Sequence, residues 1–313
     1  MIRLAGLTKR FGRRLAVDNV TLHVPDGSIY GLLGHNGAGK STTLGMILGQ
    51  VFPTAGDVQV NGHSVATHRS RALSRVGAIF EAPAFYDYLS ARANLRIFCQ
   101  YTAPVDPKRM NDVVELLELG PRLSDKVGTY SHGMRQRLAL AQALLPDPKL
   151  LILDEPADGL DPEGIAEMRQ TIRRLNTEWG MTILFSSHQL HEVEQVCSHI
   201  AVMRASQLLY AGPWPPPGGQ NIWLRLEVDR MDEAVTVMRQ AGMIRHVQGD
   251  GRVELLAGIE PAAVNSLLVQ RGFRVSALEP HRLTLEEFYL RTANPADQAG
   301  SPSHTIDPAG ANS

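Results

Sequence analysis

This sequence predicts an α/β fold followed by a small α+β domain, on three observations. Residues 34–42 read GHNGAGKST, a glycine-rich turn that follows an apolar run and opens a helical one. Over the first 210 residues, β-rich runs alternate with amphipathic helical patterns. Residues 211–219, AGPWPPPGG, then break the pattern, and a second order of strand, helix, strand, strand, helix, strand follows.

Taken along the chain, VDNVTLHV (17–24) and SIYGLLG (28–34) read as strands, and GKSTTLGMIL (39–48) as the helix leaving the glycine-rich turn. LLILDEP (150–156) and MTILFSS (181–187) are short unbroken apolar runs, the pattern of strands buried on both faces. From Pro162 to Trp179 the spacing of Ile165, Met168, Ile172, Leu175 and Trp179 predicts a helix with Pro162 in its first turn and Gly180 as its stop. These elements fill a first domain, 1–213, with 214–220 as a Pro/Gly linker. In a second domain, 221–292, IWLRLEV, MIRHV, RVELL and FRVSALE read as strands, and Met231–Ala241 and Pro261–Gln270 as helices. That is the ferredoxin-like βαββαβ order, closed by a short helix, LTLEEFYLR. The tail 293–313 has little to bury and is expected to be disordered.

Composition narrows the function. At 313 residues, with 43% hydrophobic and 20% charged residues, the chain has material for about two cores. A net charge of −1 and no basic cluster argue against a nucleic-acid partner. Cys99 and Cys197 lack metal or redox spacing and read as buried thiols of a reducing compartment. No signal peptide opens the sequence and no apolar run approaches the roughly 20 residues that span a bilayer, so a membrane function must be borrowed from another chain.

The chemistry starts at Gly34, Asn36, Gly37, Ala38, Gly39, Lys40, Ser41 and Thr42, a complete P-loop (Walker A) pattern in its required strand-to-helix context. Its glycines let backbone N–H groups turn onto phosphate oxygens, Lys40 reaches the outer phosphates of ATP, and the Ser41 hydroxyl ligates Mg²⁺. The strand 150–153 ends in Asp154 and Glu155, a metal-holding carboxylate and a general base for the attacking water. A second anion-binding helix start follows the first by about ninety residues, at Ser131 and Gly133 in TYSHGMRQRLALAQALL.

YSHGMRQR, LLILDEPADGLDP and FSSHQ, in this order behind the P-loop, resemble the ATP-binding subunit of an ABC transporter. The resemblance covers residues 1 to about 210, and the C-terminal part is more loosely similar to bacitracin-export and daunorubicin-export (ABC-2 type) ATPases. It implies a mixed-sheet core with a helical subdomain, and two cassettes packed head to tail as a homodimer. Ser131 and Gly133 of one copy then meet the ATP held by the other's P-loop. It implies further roles: Phe11 stacking on adenine, Asp161 crossing between the two sites, and His188 contacting the outer phosphate. The signature departs from the family's LSGGQ form, with Tyr130 for Leu, His132 for the first Gly and Met134 for Gln. Where most of the family carries a Gln at the metal and attacking water, this chain has Glu81, which still ligates Mg²⁺ but donates no proton when ionised. Phe85, Tyr86 and Tyr88 follow it where the family receives a helix of the membrane subunit. The expected function is thus an ATPase that powers export of a drug, antibiotic peptide or lipid, peripheral on the inner face of the cell membrane beside polytopic permease subunits. The alternative is an ABC ATPase acting on nucleic acid or ribosomes, which such chains usually mark with paired cassettes or inserts absent here.

Overall fold

The computed structural model describes residues 1–80, 84–102, 106–216, 223–248, 251–256, 258–281 and 284–293. Glu81, the latter half of the Pro/Gly stretch, Gly249 with Asp250, and the tail from 294 lie outside the described residues. In chain order the first part contains β1 (Ile2–Phe11), β2 (Arg14–Val24), β3 (Ile29–Leu33), α1 (Lys40–Ile47), β4 (Ala55–Val60), β5 (His63–Ser64), α2 (Arg69–Leu73) and β6 (Val76–Ile79). The chain then runs through α3 (Ala91–Tyr101), α4 (Pro107–Leu116) and α5 (His132–Leu144) before β7 (Leu150–Leu153). After these come α6 (Pro162–Thr177), β8 (Thr182–Ser187), α7 (Leu190–Val196), β9 (His199–Arg204) and β10 (Gln207–Pro213). The last elements are β11 (Trp223–Val228), α8 (Met231–Gln240), β12 (Ile244–Val247), β13 (Arg252–Leu255), α9 (Pro261–Gln270), β14 (Val275–His281) and α10 (Leu285–Ala293).

Two sheets with different sequence signatures build the first unit. In β2, Val20, Leu22 and Val24 point inward while Asn19, Thr21 and His23 are exposed, as an antiparallel sheet with one wet face requires. It pairs in the order β2-β1-β4-β5. The second sheet runs β10-β9-β3-β8-β7-β6, and β9, β3, β8, β7 and β6 are mutually parallel. Every residue of β3, β7 and β8 is buried, so these are the both-faces-covered strands of the apolar runs. Residues of both sheets and of α1 (Leu44, Met46, Ile47) join one core. The glycine at 31 is a packing requirement: a Cβ there would stand 2.6 Å from Val193 Cγ1 and 2.9 Å from Cys197 Sγ of the α7 region.

The chain divides into two compact units, 1–211 joined by α10 from Glu286, and Gly212–Leu285. The closing helix expected with the second domain therefore clusters with the first, where Phe288 meets Tyr210 edge-on at 4.8 Å. In the second unit the sheet order is β12-β13-β11-β14, with antiparallel neighbours. Ala234 and Met238 of α8 and Val264 and Leu268 of α9 share a core with Leu224, Leu226, Val253 and Leu255.

Two expectations need correction. The helix from Pro162 ends at Thr177 rather than Trp179, with the left-handed Gly180 (φ +64) just beyond it, and Trp179 lies outside the helix with the Arg109 guanidinium 4.2 Å from its ring centroid. Cys197 is buried, and burial pushes its thiol pKa well up, but Cys99 is only partly covered.

Candidate active site

The site lies at the carboxyl ends of β3, β7 and β8, where ligands of open parallel sheets bind. β3 delivers the chain to the turn 34–39, and α1 starts at Lys40. Gly39 has φ +107, and a Cβ there would meet Ala16 O at 2.5 Å, so position 39 accepts only glycine. Lys40 is 5% exposed, and a buried ammonium needs partners. Its Nζ donates to Gly34 O at 2.7 Å and His35 O at 3.4 Å, and pairs with Glu155 Oε1 at 3.0 Å. Thr42 follows in the first turn of α1, half-buried.

β7 ends beside β8, and that adjacency assembles the acid pair. Ser186 Oγ donates to Asp154 Oδ1 at 2.5 Å and accepts the Glu155 N–H at 2.9 Å. Ser41 Oγ donates to the same Asp154 oxygen at 3.3 Å. Glu155 has φ +46, a left-handed conformation that costs a non-glycine residue about 1 kcal/mol or more and persists where its surroundings over-determine it. Here Ser186 holds its N–H, Lys40 its Oε1, and His188 its Oε2, with Nδ1 at 2.8 Å and the His188 N–H donating at 3.3 Å. Lys40, Ser41, Asp154, Glu155 and His188 are thus brought together.

Ser186 is the functional residue the motif reading missed; its only signal was a serine interrupting a buried apolar strand two positions before His188. Ser186→Ala leaves the Glu155 N–H and one Asp154 bond unmade, a cost of about 1–3 kcal/mol. We expect turnover to fall about tenfold, the equivalent of about 1.4 kcal/mol of transition-state stabilisation. ATP turnover measured alongside thermal melting checks this, and unchanged turnover removes Ser186 from the machinery.

The second helix start is α5. Ser131 is its N-cap, accepting the Met134 N–H on Oγ at 3.3 Å, and it is exposed. Tyr130, in place of the family's Leu, is buried; its hydroxyl donates to Arg122 O at 2.6 Å, and burial raises its pKa. Gly133 lies in the first turn. Among the described residues no hydrogen bond or ion pair joins 131–134 to 34–41. Asp161 caps α6 by accepting the Gly164 N–H at 2.9 Å. Phe11 ends β1 half-exposed, with Lys9 Nζ over its ring at 4.8 Å from the centroid.

Glu81 lies outside the described residues. In the stretch after it, Phe85 packs edge-on against Phe98, while Tyr86 and Tyr88 are exposed and meet edge-on at 6.0 Å. Buried Asn94 fixes this loop through the Tyr86 N–H (2.8 Å) and Tyr86 O (3.1 Å), and Asp87 pairs with Arg135 of α5 at 2.9 Å.

Comparison with known proteins converges on one family. The profile of the ABC transporter family matches residues 17–158. An uncharacterized ABC transporter ATP-binding protein of Bacillus subtilis (strain 168), YhcH, is 38% identical over 292 residues, covering 93% of this chain and 95% of the relative. The bacitracin transport ATP-binding protein BcrA of Bacillus licheniformis is 36% identical over 295 residues, 93% of this chain and 96% of that one. Among solved structures, a dimeric, post-hydrolysis ATP-binding cassette bound to ADP and Pi superposes with a TM-score of 0.60 at 24% identity, over 68% of this chain and 98% of that one.

Proposed function

Because the chain belongs to the ABC transporter ATP-binding family, an ATPase subunit, we propose that two copies close head to tail on ATP and so drive polytopic ABC-2 type permease subunits to export an antibiotic peptide, drug or lipid. One observation carries this reading. Each protomer presents two helix starts of the kind that binds anions, and the second, Ser131–Met134, is exposed at Ser131 and His132 and among the described residues shares no hydrogen bond or ion pair with 34–41. A second copy supplies the missing phosphate. The relative named for bacitracin transport supports the cargo class, and the dimeric cassette supports the pairing. No helix among the described residues is long and apolar enough to cross a membrane, which fits a subunit peripheral on the inner face of the cell membrane.

In this mechanism Phe11 stacks on the adenine, and the 34–39 backbone with Lys40 holds the phosphates. The oxygens of Ser41 and Asp154, 3.3 Å apart, are hard donors suited to Mg²⁺, with Glu81 as a further carboxylate. Held there, Mg²⁺ would neutralise phosphate charge. Glu155 takes the proton of the attacking water, and His188, bonded to Glu155 Oε2, sets that carboxylate's direction toward the outer phosphate. With ATP bound, Lys40 would exchange Glu155 Oε1 for the phosphates, which frees the base. The Tyr86–Tyr88 pair offers an aromatic surface to the permease.

Affinity purification from native membranes tests the assembly: a polytopic membrane protein is expected to co-purify, with weaker recovery from Tyr86→Ala/Tyr88→Ala. Recovery of soluble partners alone would overturn the transport assignment.

A further inference from the structure

Side chains along one stretch of α5 bond the segment that leads from the acid pair into α6. Gln136 Nε2 donates to Pro156 O at 3.1 Å, and Arg137 Nη2 donates to Glu167 Oε2 at 2.8 Å. At the open end of the helix, His132 Nε2 lies 3.1 Å from Asp158 O. A carbonyl oxygen only accepts, so this nitrogen carries a proton and donates. The ring faces Gly159, where φ is +71 and an added Cβ would lie 3.4 Å from Nε2; the loop turns tightly against the imidazole. Gln136 is buried and secures the inner part of this contact, whereas His132 and Asp158 secure its rim, next to Ser131 on one side and three residues before Asp161 on the other. The usual glycine at position 132 has no side chain with which to make that bond.

We infer that His132 is a positioning residue: its Nε2–H bond to Asp158 O locks the anion-receiving turn 131–134 to the 158–161 loop of the same protomer, so both reach the partner copy as one unit. This rests on the head-to-tail dimer proposed above. It adds a chain-specific strut at a point where the common signature has only backbone. The bond needs only a donor at the Nε2 position, so a glutamine, whose amide nitrogen reaches a similar place, replaces it.

The test uses the full chain in a Glu155→Gln background, where bound ATP persists, and reads the ATP concentration at half-maximal dimer by light scattering. His132→Ala is expected to raise that concentration about three- to tenfold, the worth of one net hydrogen bond, and His132→Gln to restore it. Binding of a fluorescent ATP analogue to dilute protein, which reports the P-loop alone, is expected not to change. An unshifted His132→Ala midpoint overturns the strut, as does a shift that His132→Gln fails to restore. Absence of any ATP-dependent dimer with His132 in place overturns the dimer reading and this inference with it.

Discussion

Glu155→Gln slows ATP turnover by about 10²- to 10⁴-fold, the usual contribution of a positioned general base, while ATP stays bound. The amide preserves the size of the side chain and its acceptor oxygen, but it cannot take a proton from water. It also removes the ion pair between Lys40 Nζ and Glu155 Oε1, leaving Lys40 with Gly34 O and His35 O as partners. An unpaired lysine ammonium attracts phosphate more strongly, so affinity for ATP is expected to hold or rise as turnover collapses. Single-turnover hydrolysis together with equilibrium nucleotide binding separates the two effects. Turnover equal to that of the unmodified chain would exclude Glu155 as the base.

Lys40→Ala acts on the opposite term. Its Nζ is the one charged group of the glycine-rich turn, and the structure aims it at backbone oxygens of that turn and at the acid pair. Losing a charge-assisted contact of about 1.5–3 kcal/mol loosens ATP by about 10- to 100-fold. Glu155 then loses its cationic partner but keeps the His188 ring and N–H, so a native fold is expected, with a lowered melting temperature. Isothermal titration with ATP, paired with a thermal melt, gives both numbers. Retained affinity in a folded variant would contradict the phosphate-cradle assignment.

Much of the site was legible because its motifs are short in sequence and their geometry is local. A glycine-rich turn between a buried strand and a helix presents N–H groups whatever surrounds it, and Ser131 or Asp161 caps the helix that begins at the next residue. The apolar runs at 150–153 and 182–187 announced buried strands for the same reason. Legibility failed where a side chain's fate depended on distant neighbours. Trp179 fits the helical stripe by spacing, yet it lies past the helix end, under Arg109 of α4. Cys99 sits in an amphipathic helix, and only its packing leaves it partly open.

By itself, the order of residues determined the α/β class, the phosphate cradle at Gly34–Ser41, the acid pair, and the helix starts at Ser131 and Asp161, since each is set by a few consecutive φ/ψ choices. Tertiary structure alone decided that Ser186 grips Asp154 and Glu155 across separations of 32 and 31 residues, that Ser41 meets Asp154 across 113, that His132 bonds the 158–161 loop, and that α10 returns to the first unit. The first three follow from β3, β8 and β7 lying side by side and from α5 packing along the segment into α6. Such adjacency minimises exposed apolar surface over the whole chain, a sum that no local stretch of sequence carries.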